Sequence, residues 1–236
     1  MRKKEAIILA GGFGTRLQSE IQNVPKPMAP INGKPFLEYL FQYLKHYGFN
    51  RIILSTGYLS EKISTWFGNS FQGIKIFYSK EDKPLGTGGA LKQALQYCEE
   101  QHVLVMNGDS FFDIDLQEFE IFHRHYEGMF SLSVRSVTNA SRYGTLLIEE
   151  DEIQSFKEKQ GIEEPGIING GVYFVDNFFF LENCPETDTF SLEKDFLEIN
   201  CDNFGFFGYM SEAYFLDIGT PEDYKKAQDE FKEFKY

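Results

Sequence analysis

The sequence has 236 residues, a formal net charge of −13 and 42% hydrophobic residues, including 25 phenylalanines. This length and apolar content are typical of a globular chain that can fold as one α/β domain, and they exclude a disordered protein. The negative charge disfavours nucleic acid or an anionic membrane as the main partner. Cys98, Cys184 and Cys201 are widely spaced, so neither a disulfide framework nor a zinc site is predicted.

The first predicted strand is the apolar run of residues 6–10, which ends in a glycine-rich segment. An uninterrupted apolar run bounded by glycine is typical of a strand buried on both faces of a parallel sheet. The run is too short for the core of a signal peptide or for a membrane span. We therefore expect a cytoplasmic protein, and the sequence leaves its oligomeric state open, a homo-oligomer included.

The segment after this strand has the residue types of a phosphate-binding loop. Gly11, Gly12 and Gly14 lack a Cβ, so several backbone N–H groups can converge on an anion, and Arg16 adds a charged fork that matches phosphate oxygens. Lys26 follows between two prolines, which predict an extended, non-helical segment that fixes the origin of its side chain. The alternatives are a glycine-rich turn with a surface arginine, and a linker with a solvated lysine.

Helices and strands alternate through the next part of the chain. Apolar spacing predicts a helix from Pro35 until Gly48 stops it, and then strands at residues 51–56 and 74–78 around a helix at 60–67. This alternation predicts a mostly parallel sheet. A second glycine-rich loop lies within residues 81–90. Because loops at the carboxyl ends of parallel strands meet at one edge, we expect it to face the first loop across a nucleotide.

The predicted strand at residues 102–106 brings an aspartate to the same edge. Asp109 follows Asn107 and Gly108, and a carboxylate opposite phosphate-binding loops is well placed to bind Mg²⁺. The alternative is an Asx turn after the strand. Asp113 and Asp115 form a D-x-D pattern. This pattern leaves open the alternative that the protein is a metal-dependent glycosyltransferase, which consumes a nucleotide sugar.

The C-terminal half is predicted to contain a helix at residues 116–126, strands at 130–137, 144–148, 153–156, 167–175 and 213–219, and a last helix opened by the capping residues 220–223. Residues 169–171 place an asparagine and two glycines inside a strand, as happens where a ligand or another backbone approaches closely. The charge run at residues 157–159 is locally typical of a solvated surface. Asp217 lies within the last strand, where a buried carboxylate needs a partner, and a metal shared with Asp109 would provide one.

Taken together, these segments resemble the sugar-1-phosphate nucleotidylyltransferases over essentially the whole chain. Residues 11–17 are similar to the family's nucleotide-binding signature, residues 25–27 to the lysine segment that follows it, and residues 107–109 with Asp217 to its magnesium ligands. The resemblance implies one nucleotidylyltransferase domain over residues 1–236 without a β-helix extension. It also implies the nucleotide-diphospho-sugar transferase fold, a Rossmann-like α/β fold with an open, mixed and mostly parallel sheet flanked by helices.

The resemblance implies a role for each site residue. Arg16, Lys26 and Lys159 would be catalytic, and Asp109 and Asp217 would bind the cofactor, Mg²⁺. The sugar phosphate would contact Tyr143, Gly144, Glu158, Lys159, Asn169 and Gly171. The nucleotide would contact Leu9, Ala10, Gly11, Gly12, Gly14, Thr15, Arg16, Lys26, Glu81, Leu85, Gly86, Thr87, Gly88, Asn107 and Gly108.

Within the family, residues 84–89 resemble the base loop of guanylyltransferases that act on mannose-type sugars. Residues 27–31, 107–116 and 190–197 most resemble those of enzymes acting on D-glycero-α-D-manno-heptose 1-phosphate. The resemblance implies GTP and a sugar 1-phosphate as substrates, with GDP-heptose and pyrophosphate as products. A uridylyl-, thymidylyl- or cytidylyltransferase acting on another sugar 1-phosphate and a non-catalytic nucleotide sensor remain alternatives. A dinucleotide-dependent oxidoreductase is disfavoured because the third glycine of G-x-G-x-x-G is missing.

Overall fold

The computed structural model describes residues 4–12, 14, 17, 20–21, 23–159 and 161–236. The α-helices are Phe36–His46 (α1), Ser60–Phe67 (α2), Gly86–Leu95 (α3), Leu116–His125 (α4), Asn177–Asn183 (α5), Glu198–Asn200 (α6) and Pro221–Glu230 (α7). The strands are Glu5–Leu9 (β1), Pro30–Ile31 (β2), Lys34–Pro35 (β3), Arg51–Thr56 (β4), Ser70–Phe71 (β5), Ile74–Lys80 (β6), His102–Asn107 (β7), Ser110–Phe112 (β8), Phe130–Val137 (β9), Thr145–Glu149 (β10), Glu152–Lys157 (β11), Gly166–Asp176 (β12), Phe206–Met210 (β13) and Phe215–Asp217 (β14).

Within the described residues, one mixed sheet has the strand order β10-β11-β13-β9-β12-β7-β1-β4-β6-β5. The neighbours β7, β1, β4 and β6 are parallel, as the predicted alternation of strands and helices requires. Strand β12 then pairs antiparallel with both β7 and β9. The mixed sheet with flanking helices confirms the predicted fold class, but the expected mostly parallel pairing holds only in the N-terminal half, because β12 pairs antiparallel with β7 and β9, and β11 with β10 and β13.

Side chains along strand β1 alternate in direction, and apolar clusters bury them on both faces of the sheet. Ala6 and Ile8 belong to the apolar cluster that contains helix α1, whereas Ile7 belongs to the cluster that contains Leu91 of helix α3. Helices therefore cover both faces of the parallel strands. The carboxyl ends of these strands, at Leu9 and Asn107, are where a ligand site is expected.

A short ladder outside the main sheet joins the two halves of the chain beside these strand ends. Strand β14 pairs antiparallel with β8, which places Asp217 opposite Ser110, and the N–H of Ile218 donates to the carbonyl of Asp109 at 3.0 Å. The strand predicted at residues 213–219 is therefore shorter than expected, because β8 offers only three residues for pairing. The ladder register brings Asp217 next to Asp109.

Two predicted loops contain helical turns. The N–H group of Met28 donates to the carbonyl of Pro25, and that of Ala29 donates to the carbonyl of Lys26. Lys26–Met28 is therefore one 3₁₀ turn rather than an extended segment. That turn needs no proline N–H, which is why the prolines permit it. The prediction of a second glycine-rich loop within residues 81–90 is likewise partly wrong, because helix α3 already begins at Gly86. No helix in the described part of the chain has the length and apolar character needed to cross a membrane.

Candidate active site

A cavity of about 530 Å³ opens at the carboxyl ends of β1 and β7. The predicted site residues on its wall are Leu9, Ala10, Gly11, Gly12, Gly14, Lys26, Glu81, Gly86, Thr87, Asn107, Asp109, Tyr143, Lys159, Asn169, Gly171 and Asp217. The predicted residues that do not line it are Leu85, Gly88, Gly108, Gly144 and Glu158. Thr15 and Arg16 lie outside the described residues. Predicted nucleotide, sugar-phosphate and metal residues thus meet in one cavity, while their individual roles remain predictions.

Lys26 connects the two predicted metal ligands. Its Nζ donates to Asp109 Oδ2 at 2.7 Å and to Asp217 Oδ1 at 3.3 Å. The Lys26 side chain is only 12% exposed, so this ammonium is largely withdrawn from water. Two of the three N–H donors of the Lys26 ammonium are thus already directed at carboxylates, a pairing that the sequence does not predict.

The charges of this cluster are mutually dependent. Burial disfavours the charged form of Lys26, but the neighbouring carboxylates of Asp109 and Asp217 outweigh it and raise the lysine pKa. Burial is also the largest cause that raises the pKa of Asp217; the Lys26 ammonium opposes that rise and the Asp109 carboxylate adds to it. The two carboxylates therefore repel each other and require a cation between them.

The same two carboxylates form a donor set that fits Mg²⁺. This ion prefers oxygen ligands, and proteins commonly bind it through one or two carboxylates while substrate phosphates and water complete its coordination. Among the described residues no group of three His, Cys, Asp or Glu side chains forms a closed metal cage. The Lys26 ammonium lies within hydrogen-bonding distance of both carboxylates, so the pair already has one positively charged partner.

Arg142 also lines the cavity and was not predicted from the sequence. Its Nη1 donates to Asp223 Oδ2 at 2.6 Å and its Nη2 to Asp217 Oδ2 at 3.3 Å. A single arginine just before Tyr143 carries no periodic signal. The neighbouring tyrosine is largely buried, and burial raises its pKa to about 12, so it stays neutral at physiological pH.

The first glycine segment approaches Glu81 closely. A Cβ at Gly11 would lie 2.1 Å from Glu81 Oε1, and Gly14 has a φ of +58°, so both positions favour glycine. Glu81 is held in turn, because its Oε2 accepts from the N–H of Leu85 at 3.0 Å. This carboxylate on the cavity wall can accept hydrogen bonds from a ligand's N–H groups.

The second glycine segment serves mainly to pack helix α3. The N–H groups of Gly88 and Gly89 donate to the Phe190 carbonyl at 3.1 and 3.3 Å. A Cβ at Gly88 would lie 2.2 Å from the Phe190 ring. Gly88 therefore contacts protein where we expected the nucleotide, while Gly86 and Thr87 face the cavity.

The predicted sugar-phosphate residues divide in the same way. Asn169 Oδ1 accepts from the N–H of Gly171 at 2.9 Å, and its Nδ2 donates to the Tyr173 hydroxyl at 2.9 Å, so this side chain shapes the irregular part of β12. Gly144 faces protein instead, since a Cβ there would lie 2.5 Å from the Phe156 ring. Glu158 pairs with the cavity residue Lys159 at 3.0 Å and so supports it from outside the wall.

The D-x-D pattern has structural partners. Asp115 Oδ1 accepts from the N–H groups of Gln117 and Glu118 and so caps helix α4. Asp113 accepts from the Tyr236 hydroxyl and forms an ion pair with Lys235 at 2.7 Å. Neither aspartate lines the cavity, which argues against a metal role for this pattern.

Comparison with known proteins agrees with this geometry. A family model described as "Nucleotidyl transferase" matches residues 5–233. The chain is 46% identical over 231 residues to a D-glycero-α-D-manno-heptose 1-phosphate guanylyltransferase of Aneurinibacillus thermoaerophilus, covering 98% of this chain and 99% of the relative. A Campylobacter jejuni protein of the same name is 42% identical, with 93% and 96% coverage.

A solved structure has the same architecture. The crystal structure of HddC from Yersinia pseudotuberculosis complexed with GMP-PN superposes with a TM-score of 0.82 and 39% identity, and the match covers 97% of this chain and 99% of that one. The matches extend through both halves of the sheet and hence through the whole cavity. The chain therefore belongs to the nucleotidyl transferase family.

Proposed function

We propose that this protein transfers GMP from GTP to D-glycero-α-D-manno-heptose 1-phosphate, giving GDP-heptose and pyrophosphate. The supporting observation is the convergence of Lys26, Asp109 and Asp217 on one cavity, in a chain matched almost end to end by two heptose 1-phosphate guanylyltransferases. We further propose that the protein acts as a single domain in the cytoplasm. There it would supply a nucleotide sugar for a capsule or surface polysaccharide.

The reaction needs no protein base. The phosphate of a sugar 1-phosphate is largely ionised near neutral pH, so one of its oxygens can attack the α-phosphorus of GTP directly. The new bond joins that oxygen to the α-phosphorus. The bond from the α-phosphorus to the bridging oxygen breaks, and pyrophosphate leaves with the electron pair. The protein must therefore align the two phosphates and offset their mutual repulsion.

The cations and carboxylates of the cavity can align the two phosphates and offset their mutual repulsion. Asp109 and Asp217 would hold Mg²⁺, which when bound neutralises charge on the triphosphate and the departing pyrophosphate. Lys26 lines the same wall and would donate to an α-phosphate oxygen. Lys159, supported by Glu158, would hold the incoming sugar phosphate. Arg16, which lies outside the described residues, keeps its predicted role on the pyrophosphate.

Glu81 supports guanine as the preferred base. Guanine presents an N1–H and a 2-amino group on one edge, and a carboxylate can accept from both. Glu81 lies on the cavity wall beside Gly11 and is anchored by the Leu85 N–H. We propose that Glu81 reads this edge of the base.

Aspartate variants test the proposal against a metal-dependent glycosyltransferase. Asp109→Asn should lower pyrophosphate release from GTP and heptose 1-phosphate by at least about a hundredfold while the thermal unfolding midpoint stays close to that of the parent. Asp115→Asn removes the other candidate carboxylate but keeps an oxygen that caps helix α4 about equally well, so it should have little effect on stability or on turnover. Absence of pyrophosphate release by the parent protein itself would favour the glycosyltransferase, because an enzyme that consumes a nucleotide sugar releases no pyrophosphate.

A further inference from the structure

Arg142 links the candidate metal ligand Asp217 to the first turn of helix α7. Its two terminal nitrogens donate to Asp217 and Asp223, and its guanidinium lies 5.5 Å from the centre of the Tyr143 ring. With Lys26 and Asp109 these residues form a chain of alternating charges. The arginine thus connects a carboxylate of the cavity wall to a helix outside that wall.

Asp223 is itself fixed by the N-terminal cap of helix α7. The Thr220 hydroxyl donates to Asp223 Oδ2 at 2.7 Å, and its oxygen accepts from the Asp223 N–H at 3.2 Å. Pro221 occupies the first helical position, where its fixed φ favours the helical start. Asp223 therefore presents its carboxylate to Arg142 from a rigid support.

The two oxygens of Asp217 face different partners. Oδ1 accepts from Lys26, whereas Oδ2 accepts from Arg142. Gly219 leaves just enough room for this arrangement, because a Cβ there would lie 2.9 Å from Oδ1 and 3.0 Å from Oδ2. The carboxylate is consequently held in one orientation, with Oδ1 directed towards Lys26 and the Asp109 side of the cavity.

We propose that Arg142, anchored by Asp223, is a positioning residue that orients Asp217 for divalent-cation binding, an inference that rests on the proposed metal site. The planar guanidinium can bond two carboxylates at once, and the ammonium of a lysine does not reproduce that fork. Removing a group that orients a metal ligand typically weakens metal binding about 10–100-fold.

A purely electrostatic role gives a different expectation. A positive charge beside Asp217 repels a cation, so a charge-conserving Arg142→Lys change would leave cation affinity unaltered if charge were all that mattered. Asp223→Asn removes one negative charge and also the anchor. Glu222→Gln removes the same charge from the neighbouring exposed residue of α7 and leaves Arg142 paired, so it is the matched control.

The test is titration of the full-length protein with Mn²⁺ alone, following free Mn²⁺ by its electron paramagnetic resonance signal. We expect Arg142→Lys and Asp223→Asn each to weaken Mn²⁺ binding about tenfold, with Glu222→Gln close to the parent and Asp217→Asn showing no specific binding. Thermal unfolding establishes that each variant is folded, and either of the first two variants suffices if the other does not fold.

The possible failures are distinguishable. If Asp217→Asn loses Mn²⁺ binding but Arg142→Lys and Asp223→Asn bind like the parent and Glu222→Gln, the positioning role of Arg142 is overturned and the metal site stands. If Asp217→Asn binds Mn²⁺ as well as the parent does, the metal site fails and the positioning role fails with it.

Discussion

Lys26 donates to Asp109 across 2.7 Å, although 83 residues separate them in the chain. The same ammonium also donates to Asp217, so it bridges the two carboxylates, and Lys26 lines the cavity. Lys26→Met should therefore lower turnover about 10²–10³-fold, because a cation is lost where phosphates must be aligned. Pyrophosphate release measures this loss.

A second readout separates catalysis from folding in the same variant. Without Lys26 the carboxylates of Asp109 and Asp217 lack their partner, so added Mg²⁺ should raise the unfolding temperature of Lys26→Met more than that of the parent. Lys34→Met, at an exposed lysine, should change neither property. Turnover of Lys26→Met within a factor of two or three of the parent would contradict the assignment.

Glu81→Gln should reduce the preference for GTP over ATP. The amide offers one donor and one acceptor where the carboxylate offers two acceptors, so pairing with the donor edge of guanine is partly lost. A good bidentate contact to a base gives about 1–3 kcal/mol of discrimination, so the ratio of kcat/KM for GTP to that for ATP should fall about 5- to 150-fold. Glu61→Gln, at an exposed residue of helix α2, is the control. An unaltered ratio would remove Glu81 from base recognition.

Glu5 and Arg51 form a buried pair that stabilises the first parallel strands. Arg51 Nε lies 2.6 Å from Glu5 Oε1, and Glu5 Oε2 accepts from the N–H groups of Glu99 and Glu100. Glu5→Gln removes the buried counter-charge of Arg51 and leaves only the exposed carboxylate of Glu99 at 3.4 Å, so it should cost about 3 kcal/mol or more in the free energy of unfolding. Urea denaturation measures this cost.

The exposed pair Lys226–Glu230 gives the matched comparison, with its charged atoms 3.7 Å apart. Lys226→Gln should change the free energy of unfolding by less than about 0.5 kcal/mol. Equal losses in Glu5→Gln and Lys226→Gln would mean that burial adds nothing to the Glu5–Arg51 pair.

His123 should make the fold sensitive to mild acid. Its ring is buried, 3.0 Å from His102 and 2.8 Å from the Ser131 hydroxyl, and burial, aided by His102, lowers its pKa from 6.5 to about 3. Below pH 6.5 the unfolded chain therefore binds a proton at His123, whereas the folded chain does not bind one until the pH approaches 3. Stability contributed by the neutral ring is present above pH 6.5 and is lost as the pH falls towards 3.

The size of this effect follows from the shift. At about 1.4 kcal/mol per pKa unit, the loss between pH 7 and pH 5 is about 2 kcal/mol. His123→Gln should flatten that part of the stability curve, measured by urea denaturation at each pH, whereas exposed His125→Gln should not. An equal slope in the parent and in His123→Gln would show that another group carries the dependence.

Elements with a regular pattern were predictable from the sequence. The helix at Ser60–Phe67 and the strand at Phe130–Val137 have the predicted bounds, because apolar spacing is a local property of the chain. The closeness of Asp109 and Asp217 was expected from residue type and strand position. Its cause, the pairing of β8 with β14, was not predictable, because three-residue strands have too few positions to show a period.

The misassigned and missed residues have specific causes. In the sequence, a glycine that packs against the Phe190 ring cannot be distinguished from a glycine that contacts a phosphate. The prediction that Gly88 contacts the nucleotide was wrong for this reason. The role of Arg142 was not predicted because its partner Asp223 lies 81 residues away in the chain. The sequence around Asp223 indicates only a helix cap. Contacts between segments far apart in the chain, rather than local pattern, decide both cases.

The most direct test of the account is the product formed from GTP and D-glycero-α-D-manno-heptose 1-phosphate in the presence of Mg²⁺, identified by mass spectrometry together with pyrophosphate release. Parallel reactions pair each other nucleoside triphosphate with this sugar, and GTP with mannose 1-phosphate and glucose 1-phosphate. We predict GDP-heptose and pyrophosphate in equal amounts, with the highest kcat/KM for this pair of substrates. Release of no pyrophosphate from any pair, or faster turnover with another nucleotide or sugar, would contradict the proposed function.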